Sequence, residues 1–118
     1  HLKDAAAGTL ESFCTMIAEA AARYGAQQLG IGTELCQDQP DSVVEWMRVG
    51  RWSKDIDYGE GSADNAGFPP MPRWFADNRD FGNIEAGLHA TGLSKDEVAG
   101  IMGDNWHRFY SENFTPLT

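Results

Sequence analysis

The sequence is short of positive charge: nine Lys and Arg stand against eighteen Asp and Glu, a net charge of −9. The basic residues are scattered and form no patch, which argues against nucleic acid and against anionic membrane surfaces as partners. No apolar run approaches the roughly 20 residues needed to span a bilayer. His1–Gly8 carries no basic segment followed by an apolar run, so it has no signal-peptide pattern. Cysteine is scarce as well. Cys14 and Cys36 form neither a CxxC nor any zinc spacing. Two reduced thiols are the default expectation, and a disulfide stays open. Repeats and low-complexity segments are absent, and nothing assigns a compartment firmly.

The 118 residues make at most one ordinary domain, and 42% apolar content is enough for a real core. From Thr9 to Tyr24, Leu10, Phe13, Cys14, Ile17, Ala21 and Tyr24 fall at helical spacing. Thr9 can cap this helix, Glu11 suits its first turn, and Gly25 can end it in the left-handed conformation. A second helix is expected after Asp41 or Ser42, with Val43, Val44, Trp46 and Met47 on its apolar face and Gly50 at its end. Arg51–Pro72 has no clear period. A loop of that length is usually functional or mobile, and its aromatics could border a ligand or equally cover a hydrophobic edge. Trp74 and Phe75 should anchor the next element, and Asn83 could cap a helix over Ile84–Thr91 that Gly92 stops. Ser94 and Glu97 form a capping box for a short helix ended by Gly103. Asp104 or Asn105 starts the last helix, with Trp106, Phe109 and Tyr110 expected to face the core, and Asn113–Thr118 is expected to fray.

Between the first two helices lies Leu29–Gln37, LGIGTELCQ. Ile31 and Thr33 suit an extended backbone, while Gly30 and Gly32 let something else come close. A strand over Gln28–Thr33 is expected, buried on both faces because it is nearly uncharged. Glu34 falls where that strand should end, and in α/β folds chemistry collects at the carboxyl ends of strands.

GIGTEL resembles the GxGxDFxx element of the membrane dipeptidase (renal dipeptidase) family of zinc metallopeptidases. MGDNWHRFY (Met102–Tyr110) is similar to that family's C-terminal G-x-N-x-x-R-hydrophobic helix, and GLSKDEVAGI (Gly92–Ile101) to the short helix before it. The three run in the family's order, across Tyr24–Gln37 and Phe75–Phe114. The resemblance implies an α/β fold, the closing portion of a (β/α)8 barrel, mostly helical with few strands. A whole barrel needs about 250 residues, so residues 1–118 are expected to be a single region of a longer protein whose earlier strands lie elsewhere. The lack of an initiator Met agrees with that expectation.

The resemblance further implies metal-dependent hydrolysis of dipeptides, with about two zinc ions in the intact protein. Glu34 takes the position of an acid that touches metal and handles protons. It is thus the candidate catalytic and metal-binding residue; the bland alternative is a polar strand end bonded to the next loop. The family has Asp here, and the extra methylene moves the carboxylate by about 1.5 Å. Misplacement on that scale can cost about a hundredfold in rate. The family's next acid falls at Cys36, which cannot replace a carboxylate and is more often a small buried hydrophobe. His1, His89 and His107 match no ligand position, since the family draws its histidines and bridging Glu from earlier strands. Asn105 and Arg108 match the family's Asn and Arg and are expected to be structural. The loop Gln37–Pro72, with Gln37, Trp52 and Tyr58, would border the substrate. Trp46, Trp52, Trp74 and Trp106 are core anchors first and ligand contacts second.

The partners so implied are a dipeptide or related small amide and the rest of the barrel chain, with homo-oligomerisation left open. Three rivals stand beside this reading. The protein could be a non-catalytic or repurposed member of the family, an independent small acidic binding module, or an amidohydrolase with another amide substrate. A lone barrel strand would leave unpaired edges and should misfold or associate.

Overall fold

Thr9 caps the first helix. Its backbone is extended, and its hydroxyl accepts the Ser12 N–H at 3.1 Å while Ser12 reaches back to the Thr9 N–H at 3.3 Å. Two orphan donors at the helix start are thereby satisfied. Helix α1 runs Leu10–Tyr24 and buries Cys14, Ile17 and Ala21, which the 3.6-residue period places on one face. Gly25, at φ 89°, ends it and donates its N–H to the Ala21 carbonyl. The computed structural model describes residues 8–33, 35, 37–44 and 71–114.

After Gly25 the chain makes a 3₁₀ turn, Ala26–Gln28, and continues without regular structure through Thr33. Residues 42–44 begin a helical turn, with the Val44 N–H on the Asp41 carbonyl. The expected helical residues Trp46 and Met47, and residues 51–70 of the expected loop, lie outside the described residues. A second 3₁₀ turn, Asn78–Asp80, leads into α2, Phe81–Ala90. Gly92, at φ 90°, turns the chain toward α3, Lys95–Ala99. The wider turn Gly100–Asp104 then joins α3 to α4, Asn105–Asn113, with a kink at Gly103.

The core lies where α1, α2 and α3 meet. Ile84, Leu88, Val98, Ile101 and Cys14 are fully enclosed, and burying a side chain such as Leu88 contributes about 1.5–3 kcal/mol. Helices α1 and α2 pack closely because Gly87 has no side chain. A Cβ there would stand 2.6 Å from the Cys14 sulfur and 3.2 Å from Leu10 Cγ. Phe75 seals one end of this core, edge-on to Phe81 at 5.2 Å, and Trp74 leans on Phe13 at 4.9 Å.

This architecture corrects the expected α/β class. Among the described residues there is no strand and no sheet, and the elements are helices and short turns. The reason lies in what a strand requires. Leu29 is extended, at φ −105° and ψ 148°, but the N–H groups of residues 30–33 donate to no backbone carbonyl among the described residues. A β-favouring stretch becomes a strand only by pairing with another.

Two smaller expectations also change. Helix α2 begins at Phe81, not at Ile84, because Asp77 and Asp80 cap the turn before it; Asn83 lies inside the helix and donates to the Trp74 carbonyl at 2.9 Å. Trp106, Phe109 and Tyr110 do not face the core: they are 42%, 47% and 55% exposed, and they stack mainly on one another.

Candidate functional site

Side chains from the start of α4 converge on the backbone between α1 and the predicted site acid. Asn105 is the buried polar residue here, and its amide Nδ2 donates to the carbonyls of Ala26 at 2.9 Å and Leu29 at 2.8 Å. Arg108 donates through Nη1 to Asn105 Oδ1 at 3.2 Å and through Nη2 to the Gln27 carbonyl at 2.6 Å. The Trp106 indole N–H reaches the Ile31 carbonyl at 3.2 Å. Four carbonyls of one short stretch are thus read by three side chains of one helix turn.

Local sequence explains the geometry. The N–H of Asn105 bonds the Gly100 carbonyl, so the turn before α4 closes over five residues and swings Asn105 toward the chain instead of solvent. Gly100 makes room for it, since a Cβ there would come within 3.0 Å of Asn105 Oδ1. Arg108, three residues on, shares the face of Asn105. A cleft of about 370 Å³ lies alongside, lined by Gln28, Gly30, Trp106 and Phe109 among others.

The predicted residues distribute as follows. Asn105 and Arg108 form the clamp just described, and Asn105 caps no helix. Gln37 is exposed in a turn with Asp38, whose φ is 55°. Glu34, Cys36, Trp52 and Tyr58 lie outside the described residues. His89 and His107 are exposed on α2 and α4. Cys14 is a free, buried thiol; burial pushes its pKa up and keeps it protonated. The hydrogen bond from Trp106 does not follow from its reading as a core anchor. The adjacency of Trp to an Asn–x–x–Arg pair and a facing Gly-x-Gly was the only signal for it.

A larger groove of about 620 Å³ runs between α1 and α2, walled by Leu10, Cys14, Ala18 and Gly87 with Glu11 and Glu19 at its rim. It is mostly apolar and brings no set of reactive groups together. Near α2, Asp77 is held to a pKa of about 2 by its hydrogen bonds with the Arg79 side chain and backbone. Among the described residues, no three His, Cys, Asp or Glu stand close enough to hold a metal ion, and no helix is long and apolar enough to cross a membrane.

No protein-family model matches the chain, and no curated protein and no solved structure is found to be similar to it.

Proposed function

We propose that this chain is the closing part of a hydrolase that cleaves dipeptides or related small amides, with Glu34 as its proton-handling acid. One observation supports the reading above others. The two most distinctive segments of the family resemblance, GIGTEL and MGDNWHRFY, lie some 75 residues apart in sequence and are joined by the hydrogen bond from the Trp106 indole N–H to the Ile31 carbonyl, with Asn105 on the Leu29 carbonyl beside it. In this reading Asn105 and Arg108 are structural, and Gln37, Trp52 and Tyr58 border the substrate.

The chemistry asked of Glu34 is that of a general base. Its carboxylate takes a proton from the attacking water as the new C–O bond forms, and returns it to the amine as the C–N bond breaks. The described residues bring no zinc-ligand set together. Glu34 would be this chain's contribution to such a centre, and the remaining ligands would come from elsewhere in the protein.

The test is elemental analysis and dipeptide hydrolysis on the whole protein, with Glu34→Gln beside the native form. About two zinc ions per chain, with hydrolysis lost in the variant, is the expected result. A native protein without metal or hydrolysis would favour the non-catalytic reading, to which Glu in place of Asp at position 34 and Cys36 in place of the second acid already lean.

A further inference from the structure

We infer that the cleft beside α4 is a binding site for a small apolar carboxylic acid, with Arg108 taking the carboxylate and the rings of Trp106 and Phe109 taking the apolar body. The site stands apart from the hydrolase reading, since it asks nothing of Glu34 or of any metal. The Arg108 guanidinium is held by neutral oxygens, Asn105 Oδ1 at 3.2 Å and the Gln27 carbonyl at 2.6 Å. Those bonds use two of its five N–H donors and neutralise none of its charge. Arg108 forms no ion pair with another described residue, although Asp104 and Glu112 stand four residues away on either side. A guanidinium already fixed by two bonds loses little further freedom on meeting a ligand, and its planar fork matches the two oxygens of a carboxylate.

The rest of the cleft suits the body of such an acid. Its volume of about 370 Å³ lies near the small end of ligand pockets, and no acidic residue is among the described residues that line it. Trp106 and Phe109 are 42% and 47% exposed and meet edge-on at 6.2 Å, so their rings form an open apolar corner. The indole is fixed there by its hydrogen bond to the Ile31 carbonyl and by Tyr110 stacked on it at 6.0 Å. Gly30 admits it, since a Cβ at that residue would stand 2.4 Å from the indole nitrogen. Gln27 and Gln28 add exposed amides that can bond a polar group of the ligand. Charge selects among anions. In a chain of net charge −9, with Asp104 and Glu112 near the site, a dianionic phosphate is disfavoured and has nothing to set against the rings. A singly charged carboxylate with an apolar body uses both halves of the cleft.

The test is titration of the whole protein with N-acetyl-L-phenylalanine, followed by NMR at the Trp106 indole N–H and the Arg108 side-chain N–H groups, with the corresponding primary amide as the uncharged control. The acid should bind about tenfold more tightly than the amide, because hydrogen bonds to a charged partner are the stronger ones. Arg108→Gln should abolish that preference while leaving the weak binding of the amide. Phe109→Ala, at an exposed position outside the Asn105–Arg108 clamp, should weaken acid and amide alike by about tenfold, and serves if Arg108→Gln folds poorly. Equal binding of acid and amide, or shifts at neither Trp106 nor Arg108, would overturn the inference. So would inorganic phosphate that displaces the acid at equal concentration. None of these readouts involves hydrolysis, so this site and the hydrolase reading stand or fall separately.

Discussion

Removing the Asn105 side chain should be among the most damaging single changes in the chain. Asn105→Ala deletes the donors to the Ala26 and Leu29 carbonyls and the acceptor for Arg108 Nη1. A hydrogen bond of this kind contributes about 1 kcal/mol net, but a buried group left without a partner costs ~1–3 kcal/mol. The Ala26 carbonyl lies in the buried part of the clamp, whereas that of Leu29 is only partly buried and can recruit water. The expected loss is about 2–4 kcal/mol, read from urea denaturation followed by circular dichroism. Asn105→Asp tests the direction of the bonds. At neutral pH it would set a carboxylate with no proton to donate against the Ala26 and Leu29 carbonyls, so it should lower stability even though the bond from Arg108 survives. If Asn105→Ala costs less than ~0.5 kcal/mol, the clamp does not hold the chain and the reasoning fails.

Two further outcomes follow from the geometry. Gly87→Ala should cost about 1–3 kcal/mol by forcing its new methyl into the Cys14 sulfur, and Cys14→Ala in the same background should recover part of that loss. Strict additivity of the two changes in denaturation experiments would show that the helices never pack this closely. Asp77 should titrate near pH 2 by NMR and return toward its ordinary 3.8 in Arg79→Ala, since the Arg79 hydrogen bonds are the main cause of the shift. Its folded pKa is lowered, so its contribution to stability is present above about pH 4 and fades as pH falls toward 2. An unchanged Asp77 titration in Arg79→Ala would refute the pairing.

What the sequence made legible was what a few neighbouring residues decide among themselves. Thr9 and the Ser94–Glu97 box cap the helices that their hydroxyls and carboxylate imply, and Gly25 and Gly92 turn where left-handed backbone is needed. The start of α2 was a local miss, set by Asp77 and Asp80, but the larger misreadings concern partners distant in sequence. LGIGT has the composition of a strand, but composition carries no information on whether a second strand lies beside it. The stripe of Trp106, Phe109 and Tyr110 has helical spacing, and spacing cannot tell a face turned to the core from one turned outward. For the site, the types of Asn105 and Arg108 suggested structural hydrogen bonding, while their acceptors 76–81 residues away were beyond any local rule.

Those long separations bear on how the chain tolerates damage. The clamp, the α1–α2 packing and the Phe13–Trp74 contact all run between residues 8–33 and residues 71–114. None of them depends on a covalent path through the stretch between Val44 and Met71. The entropy of closing a loop between the two halves changes slowly with its length. The contacts between residues 8–33 and residues 71–114 are complementary faces in their own right, one carrying α1 and its trailing carbonyls, the other α2, α3 and α4. Supplied as two separate chains that keep these faces, the halves would be expected to find each other in solution, as the halves of a split protein do.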